Sequence, residues 1–293
     1  MKHWLLAAVC GVAALGLLLY PLIGEAVNAK YHSDIETAYT AAIEDSNDDE
    51  LEQQRQAARQ YNAMLSGAAI TEGGASAPPL PYAQQLTVGG VMCYVDVPKI
   101  GVYLPVEHGT AAETLESSVG HVVGTSLPMG GASTHAVLSA HSGMATSKLF
   151  SDIDQLAEGD TFYIHVLGEV LAYQVDAVNT VLPTDTSLLQ IEGEKDLVTL
   201  VTCTPYGVNT RRLLVQGYRV PYEPETVSAK ITEPAGENSR VSGWQQQYFD
   251  GVYYGVILAD TVVRVWSIVR ETRRGQYPVP PSPFLRDGSI VLL

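Results

Sequence analysis

From Val88 to Val220 apolar residues gather in short runs rich in Val, Leu and Tyr, cut by Gly, Pro, Asp or Asn, and in several of them apolar and polar positions alternate. That pattern predicts strands with one buried face. The runs are "GVMCYVDVPKI", "THAVLSAH", "DTFYIHVLG", "VLAYQVDAVNTVLP", "DLVTLVTC" and "RRLLVQGYRV". In "LAYQVDAV", Leu171, Tyr173, Val175 and Ala177 fall on one side of a strand. No long helical pattern alternates with these runs, which argues against a doubly wound parallel sheet. Closure removes the exposed edges of many short strands, so a closed or nearly closed barrel is expected. The segment "SKLFSDIDQLAEGD", between two of the runs, reads as a short helix and turn.

Upstream the period lengthens. Ile35, Ala38, Tyr39, Ala42 and Ile43 share one helical face, and Leu51, Ala58, Tyr61 and Leu65 form a second stripe behind capping residues Asn47 and Asp48. These are either helices packed on a larger body or a spacer leading to it. Gly, Ala, Ser and Pro then dominate Ser66 to Pro81, too long a stretch for an ordinary connection.

Two segments carry membrane patterning. Trp4 to Ile23 contains no charge and follows Lys2. It is long enough to span a bilayer as a helix, with its start in the cytoplasm and the rest of the chain outside. A cleaved signal peptide ending near "VNA" at Val27–Ala29 is the competing reading. Beyond a polar linker after Pro221, Gly251 to Val269 would span if Asp260 and Arg264 were tolerated. Each charge costs about 2.5–3.5 kcal/mol at mid-membrane. Their spacing of four would let them pair on one helix face. An amphipathic surface helix is the alternative. The expected organisation is an anchor over 1–29, a helical lead-in over 30–66, a linker over 67–87 and the barrel over 88–222. A linker over 223–246, a possible second span over 247–274 and a tail over 275–293 complete it.

Composition narrows the function. The chain has 32 acidic and 17 basic side chains, a formal net charge of -15. A nucleic-acid partner is excluded on that balance, because affinity for phosphates rests on Lys and Arg. Cysteine numbers only 3, with no CxxC or Cys/His spacing of zinc type, so neither a metal nor another cofactor is expected. Cys10 lies in the apolar run, leaving Cys93 and Cys203. Export would permit a disulfide between them. An exported chain that keeps Cys203 free needs a reason to do so.

Cys203 closes the run "DLVTLVTC", at a strand end where a side chain is both rigidly held and accessible. As a thiolate it would be a nucleophile; the alternative is a small buried core residue. A base would be a histidine, and none of the seven lies C-terminal to Cys203, which excludes the papain order. His141 ends another strand run. His108 and His121 rival it on chemistry alone, and any of them would serve a structural role equally well. Arg211 and Arg212 open the next strand run, where a guanidinium could stabilise an oxyanion; a solvated pair on a strand edge is the alternative.

"TLVTC" followed by "TPYGVNTRRLLVQG" resembles the active-site signature of sortases, in the form seen in class C, pilin-assembling members. "YVDVPKIGVYLPVEHGT", "SSVGHVVGTSLPMGG" and "STHAVLSAHSGM" are similar to family segments in the same order, so the resemblance covers most of the chain. It implies a mostly β, closed sortase-type barrel of about eight strands with N-terminal helices and membrane-anchoring segments. It places the family histidine on His141, the cysteine on Cys203 and the arginine on Arg212. Arg211 stands where similar proteins commonly have histidine. It further implies cleavage of an LPxTG-like sorting signal through a Cys203 thioester, with transfer to a pilin lysine outside a Gram-positive cell membrane. A housekeeping sortase attaching proteins to the cell wall, and a non-catalytic domain that binds sorting peptides, are the alternatives. Class C members carry a lid with an Asp-Pro-aromatic motif over the active site. The best match here is Leu80-Pro81-Tyr82, without the aspartate, so Pro81 and Tyr82 are the lid candidates, an Asp latch to Arg212 cannot form at that position, and a more loosely held lid over Cys203 is expected.

Overall fold

In a computed structural model of the chain, residues 2–67, 80–142 and 147–223 are described, except for the side chains of 2–14, 17, 18, 21, 22 and 25. The chain divides into two units, Met1–Trp244 and Gln245–Leu293. In the second, the described positions lie between 253 and 270 and are helical.

Among the described residues of the first unit there are eight strands: β1 (Cys93–Val97), β2 (Val102–His108), β3 (Val119–His121), β4 (Thr134–Ser139), β5 (Thr161–Val166), β6 (Glu169–Val181), β7 (Asp196–Thr204) and β8 (Arg211–Val220). They close into a barrel in the order β1-β2-β3-β4-β7-β8-β6-β5. Closure leaves no free sheet edge. Neighbours are antiparallel except β2 with β3 and β4 with β7, which run parallel.

Alternation decides what fills the barrel. Val95, Val106, Leu138, Ile164, Tyr173, Leu200 and Val215, one from each of seven strands, belong to one buried cluster. A second, smaller cluster of Val137, Val201 and Leu214 lies on the outer face of β4, β7 and β8. Leu171, Tyr173 and Val175 point inward as their period predicts. Ala177 does not, because the register slips between Val175 and Ala177, and Ala177 then pairs with Gln216. One extra residue in a strand moves every later side chain to the other face.

Among the described residues three α-helices accompany the barrel: α1 (Lys2–Asp45), α2 (Asp48–Ser66) and α3 (Ala112–Ser117). The break between α1 and α2 is capped by Asn47, whose side chain accepts a bond from Glu50 N–H. Gly67 ends α2 in the left-handed region, at φ 69°, where glycine carries no side-chain penalty. The helices pack on the barrel rather than forming a spacer. Tyr39 is buried, and its hydroxyl accepts a 2.9 Å bond from Leu167 N–H. Asn62 is buried and bonded both ways to Leu127, at 3.1 and 2.7 Å. Leu51, Ala58 and Tyr61 join the main core. Burying a large apolar side chain is worth about 1.5–3 kcal/mol, so these contacts fix the helices firmly.

Among the described residues no helix is long and apolar enough to cross a membrane. Many side chains of the Trp4–Ile23 stretch, and most of 247–274, lie outside the described residues.

Candidate active site

The register assembles the site. Cys203 on β7 is paired directly with Arg212 on β8. Side chains directly opposite each other in an antiparallel pair have Cβ atoms about 4.5–5.5 Å apart. β4 runs parallel to β7, with Ser139 level with Val201. Two residues further, His141 stands level with Cys203. Strands lie about 4.8 Å apart, so the imidazole and the thiol leave neighbouring strands at the same rim.

All three share a face. Val201 and Leu214 belong to the outer cluster, while Val198, Leu200, Leu213 and Val215 face the interior. Alternation therefore turns Cys203 and Arg212 outward. On β4, Ala136 and Leu138 face inward and Val137 outward, and Ala140 just past the strand joins the inner cluster; the same alternation carried one residue further turns His141 to the outer side. The outer cluster of Val137, Val201 and Leu214, flanked by Val122, Val181 and Leu189, forms an apolar floor leading to the three polar side chains. Beside it opens a cleft of about 570 Å³, bordered by Leu65, Val122, Thr125, Leu189 and Ile191.

Local bonds hold the rim. Ala140 N–H donates to Val201 C=O at 3.1 Å, and Phe150 N–H donates to His141 C=O at 3.1 Å. Thr202 Oγ1 donates to Ala140 C=O at 2.9 Å, and Ser142 Oγ to Cys203 C=O at 2.6 Å. Arg212 Nη1 donates to Asn209 C=O and Arg211 C=O, at 3.2 and 3.0 Å. These bonds orient the guanidinium of Arg212, while Arg211 is exposed. Cys203 is a free, half-buried thiol. Among the described residues the His141 ring has no hydrogen-bond partner. Cys93 is also free, but it is buried and burial pushes its thiol far up, which leaves it inert. The disulfide that export would permit is not formed.

Tyr82, one of the two lid candidates, makes its contacts elsewhere. Pro81 precedes a short 3₁₀ turn, Tyr82–Gln84. The Tyr82 hydroxyl lies 2.9 Å from His121 Nδ1 and accepts from Gly109 N–H at 3.0 Å. Its ring stacks on His121 and meets His108 edge-on. His121 is paired with Leu138, an interior residue, so this socket is on the inward side of the sheet. Cys203 faces outward. The intervening residues 68–79 lie outside the described residues. His108 and His121, the rival bases, are thus spent on structure: His108 Nε2 meets Gln85 C=O at 2.7 Å, and His121 Nε2 meets Ser126 C=O at 2.8 Å.

Sequence reasoning passed over Ser142, Thr202 and the outer apolar floor. Each would require knowing that β4 and β7 are neighbours, which no local pattern reports.

Comparison with known proteins identifies the family to which this fold belongs. Residues 95–220 match the family description "Sortase domain". Sortase D of Bacillus subtilis (strain 168) is 30% identical over 129 residues, covering 43% of this chain and 62% of its own length. Sortase A of Bacillus anthracis is 29% identical over 123 residues, covering 42% and 57%. The chain therefore spans less than two thirds of the length of either curated relative. Among solved structures, sortase C1 of GBS Pilus Island 1 is 40% identical, with 67% of this chain and 95% of that one covered and a TM-score of 0.61. Sortase C-1 from Actinomyces oris is 42% identical, with 59% and 99% covered and a TM-score of 0.53. The chain belongs to the sortase family. Within it, the strong structural matches include class C members.

Proposed function

We propose that the protein is a cysteine transpeptidase in which Cys203, His141 and Arg212 act together on a sorting peptide. One observation carries the reading: a free thiol, an imidazole and a guanidinium sit on one outward face, at one level of three adjacent strands, beside an apolar floor. An extended Leu-Pro-containing segment suits such a floor. Cys203 Sγ, as thiolate, attacks the carbonyl carbon of the residue before the scissile bond, and the electron pair moves onto oxygen. Arg212 faces that oxyanion with a permanent charge. The C–N bond breaks, His141 gives its proton to the departing amine, and a thioester remains on Cys203. An incoming primary amine attacks the thioester and gives one proton to His141; an amide bond forms, the C–S bond breaks, and the thiolate and protonated imidazole are regained.

The acceptor we favour is a pilin lysine. Sortase C of Streptococcus pneumoniae, whose structure matches at 40% identity, is described with pilin substrate specificity. The location we favour is the outside of a cell membrane, held by the uncharged Trp4–Ile23 stretch and by a second span over 247–274. Mass spectrometry of the full chain incubated with a Leu-Pro-Xaa-Thr-Gly peptide should show a thioester adduct on Cys203 that Cys203→Ala abolishes. Gels with a pilin subunit should show a ladder. An adduct without a ladder favours a cell-wall amine as acceptor, and no adduct refutes the transpeptidase reading.

A further inference from the structure

The strongest unassigned feature is the way the two reactive strands are tied together just past their last backbone rung. β4 and β7 pair regularly up to Ser139 and Val201, and Ala140 N–H still donates to Val201 C=O at 3.1 Å. Beyond that point β4 leaves the sheet. Two hydroxyls make the next contacts, and they run in opposite directions. Thr202 Oγ1, on the residue before the cysteine, donates to Ala140 C=O, on the residue before the histidine, at 2.9 Å. Ser142 Oγ, on the residue after the histidine, donates to the carbonyl of Cys203 itself at 2.6 Å. His141 is therefore bracketed by two bonds to the strand that carries Cys203, and its own carbonyl is held by Phe150 N–H.

We propose that Ser142 is a positioning residue that sets the distance and angle between His141 and Cys203. The role rests on the transpeptidase reading above, since it acts through those two side chains and touches no substrate. The physical reason is the end of the ladder. A strand end frays because its final groups lack partners, and His141 lies beyond the last paired residue of β4. Without Ser142, the Ala140 rung, the Thr202 bond and the Phe150 bond would remain, and none of them ties a residue beyond the histidine to the strand of Cys203. Thr202 is 4% exposed and lies toward the core, whereas Ser142 is half-exposed at the rim. Removing the serine hydroxyl leaves a carbonyl that water can reach, so folding should hardly notice. Placement of the imidazole should notice, because a misplacement of about 1 Å at a reacting group can cost about 10²-fold in rate.

The test uses the full chain in detergent as wild type, Ser142→Ala and Ser142→Thr. Two readouts are taken: the pH dependence of Cys203 alkylation by iodoacetamide, and kcat and KM for a Leu-Pro-Xaa-Thr-Gly peptide. Melting temperature is followed in parallel. The expected result is an alkylation profile displaced along pH and a kcat lowered on the order of tenfold at unchanged KM in Ser142→Ala. Ser142→Thr, which keeps a hydroxyl, should restore both, with melting temperatures alike in all three. Ser142→Ala overlaying wild type in both readouts, or losing activity only in step with melting temperature, overturns the proposal. Should the wild type alkylate normally yet form no thioester, the transpeptidase reading falls. The alkylation profiles of the three proteins then decide the positioning role separately.

Discussion

Two histidines on neighbouring strands, His121 on β3 and His141 just past β4, have opposite fates. His121 faces inward and is fully buried, with Ser126 C=O on one ring nitrogen and the Tyr82 hydroxyl on the other. Burial lowers its pKa to about 4. With Nε2–H donating to Ser126, Nδ1 accepts from Tyr82, which fixes one neutral tautomer. His141 faces outward, half-exposed, and among the described residues its ring is not committed. A side chain whose every bond is spent holds structure. The same side chain at a rim, one strand from a free thiol, is available to move a proton. One residue type thus stands in a closed socket on one strand and at an open rim past the end of its neighbour, and the face of the sheet decides between the two settings.

Substitutions should separate the two regions in a graded way. The largest effect is expected on the outer face: Cys203→Ala or His141→Ala should lower kcat by about 10⁴-fold or more while leaving the melting temperature near wild type. A near-normal rate in either variant would break the comparison. Arg212→Ala should cost about 10²–10³-fold in kcat, the scale of losing one oxyanion donor. Arg212→Lys should recover only part of this, since one ammonium cannot reproduce the fork. Steady-state rates on a sorting peptide decide both.

The inner face should answer in stability instead. His121 is held neutral, so below its ordinary pKa of 6.5 the unfolded chain binds a proton that the folded chain refuses. Stability is therefore full above about pH 6.5 and falls as pH drops toward 4, by on the order of 3 kcal/mol. Urea unfolding across that window should show the loss in wild type and a shallower one in a His121→Gln variant. Equal slopes would mean that another group carries the effect. The smallest change is Tyr82→Phe, which removes one hydroxyl from His121 and Gly109 and should cost about 0.5–1.5 kcal/mol. Rates of Cys203 alkylation should stay unchanged; a faster rate would return Tyr82 to the role of a cover.

Much of this was legible in the chain. Six of the strands announce themselves as short apolar runs between turn residues, several of them alternating, and Cys203 and His141 stand out because each closes such a run. β2 stayed hidden because Pro105 interrupts it, and a proline argues against a central strand. β3 has three residues, and its middle one, Gly120, is small because the Gly109 carbonyl lies where a Cβ would be. Such a strand carries no periodic signal. Arg212 could be told from Arg211 by resemblance alone. The structure supplies the reason, which is a register of pairing with Cys203. Ala177 and Tyr82 mark the limits of local reading. An extra residue in β6 reverses a face without any sign in composition. The aromatic nearest in sequence to a lid motif is, in space, closest to the histidines of the inner socket.

The parallel pairing of β4 with β7 reaches beyond the chemistry. Since both strands travel in the same sense, one leads to His141 and the other to Cys203 just as each departs into a loop, the first toward Phe150 and the second toward Arg211. Those excursions can be lengthened, shortened or rewritten to suit a new peptide, while the spacing of sulfur and imidazole is inherited from the staves of the barrel and does not have to be found again.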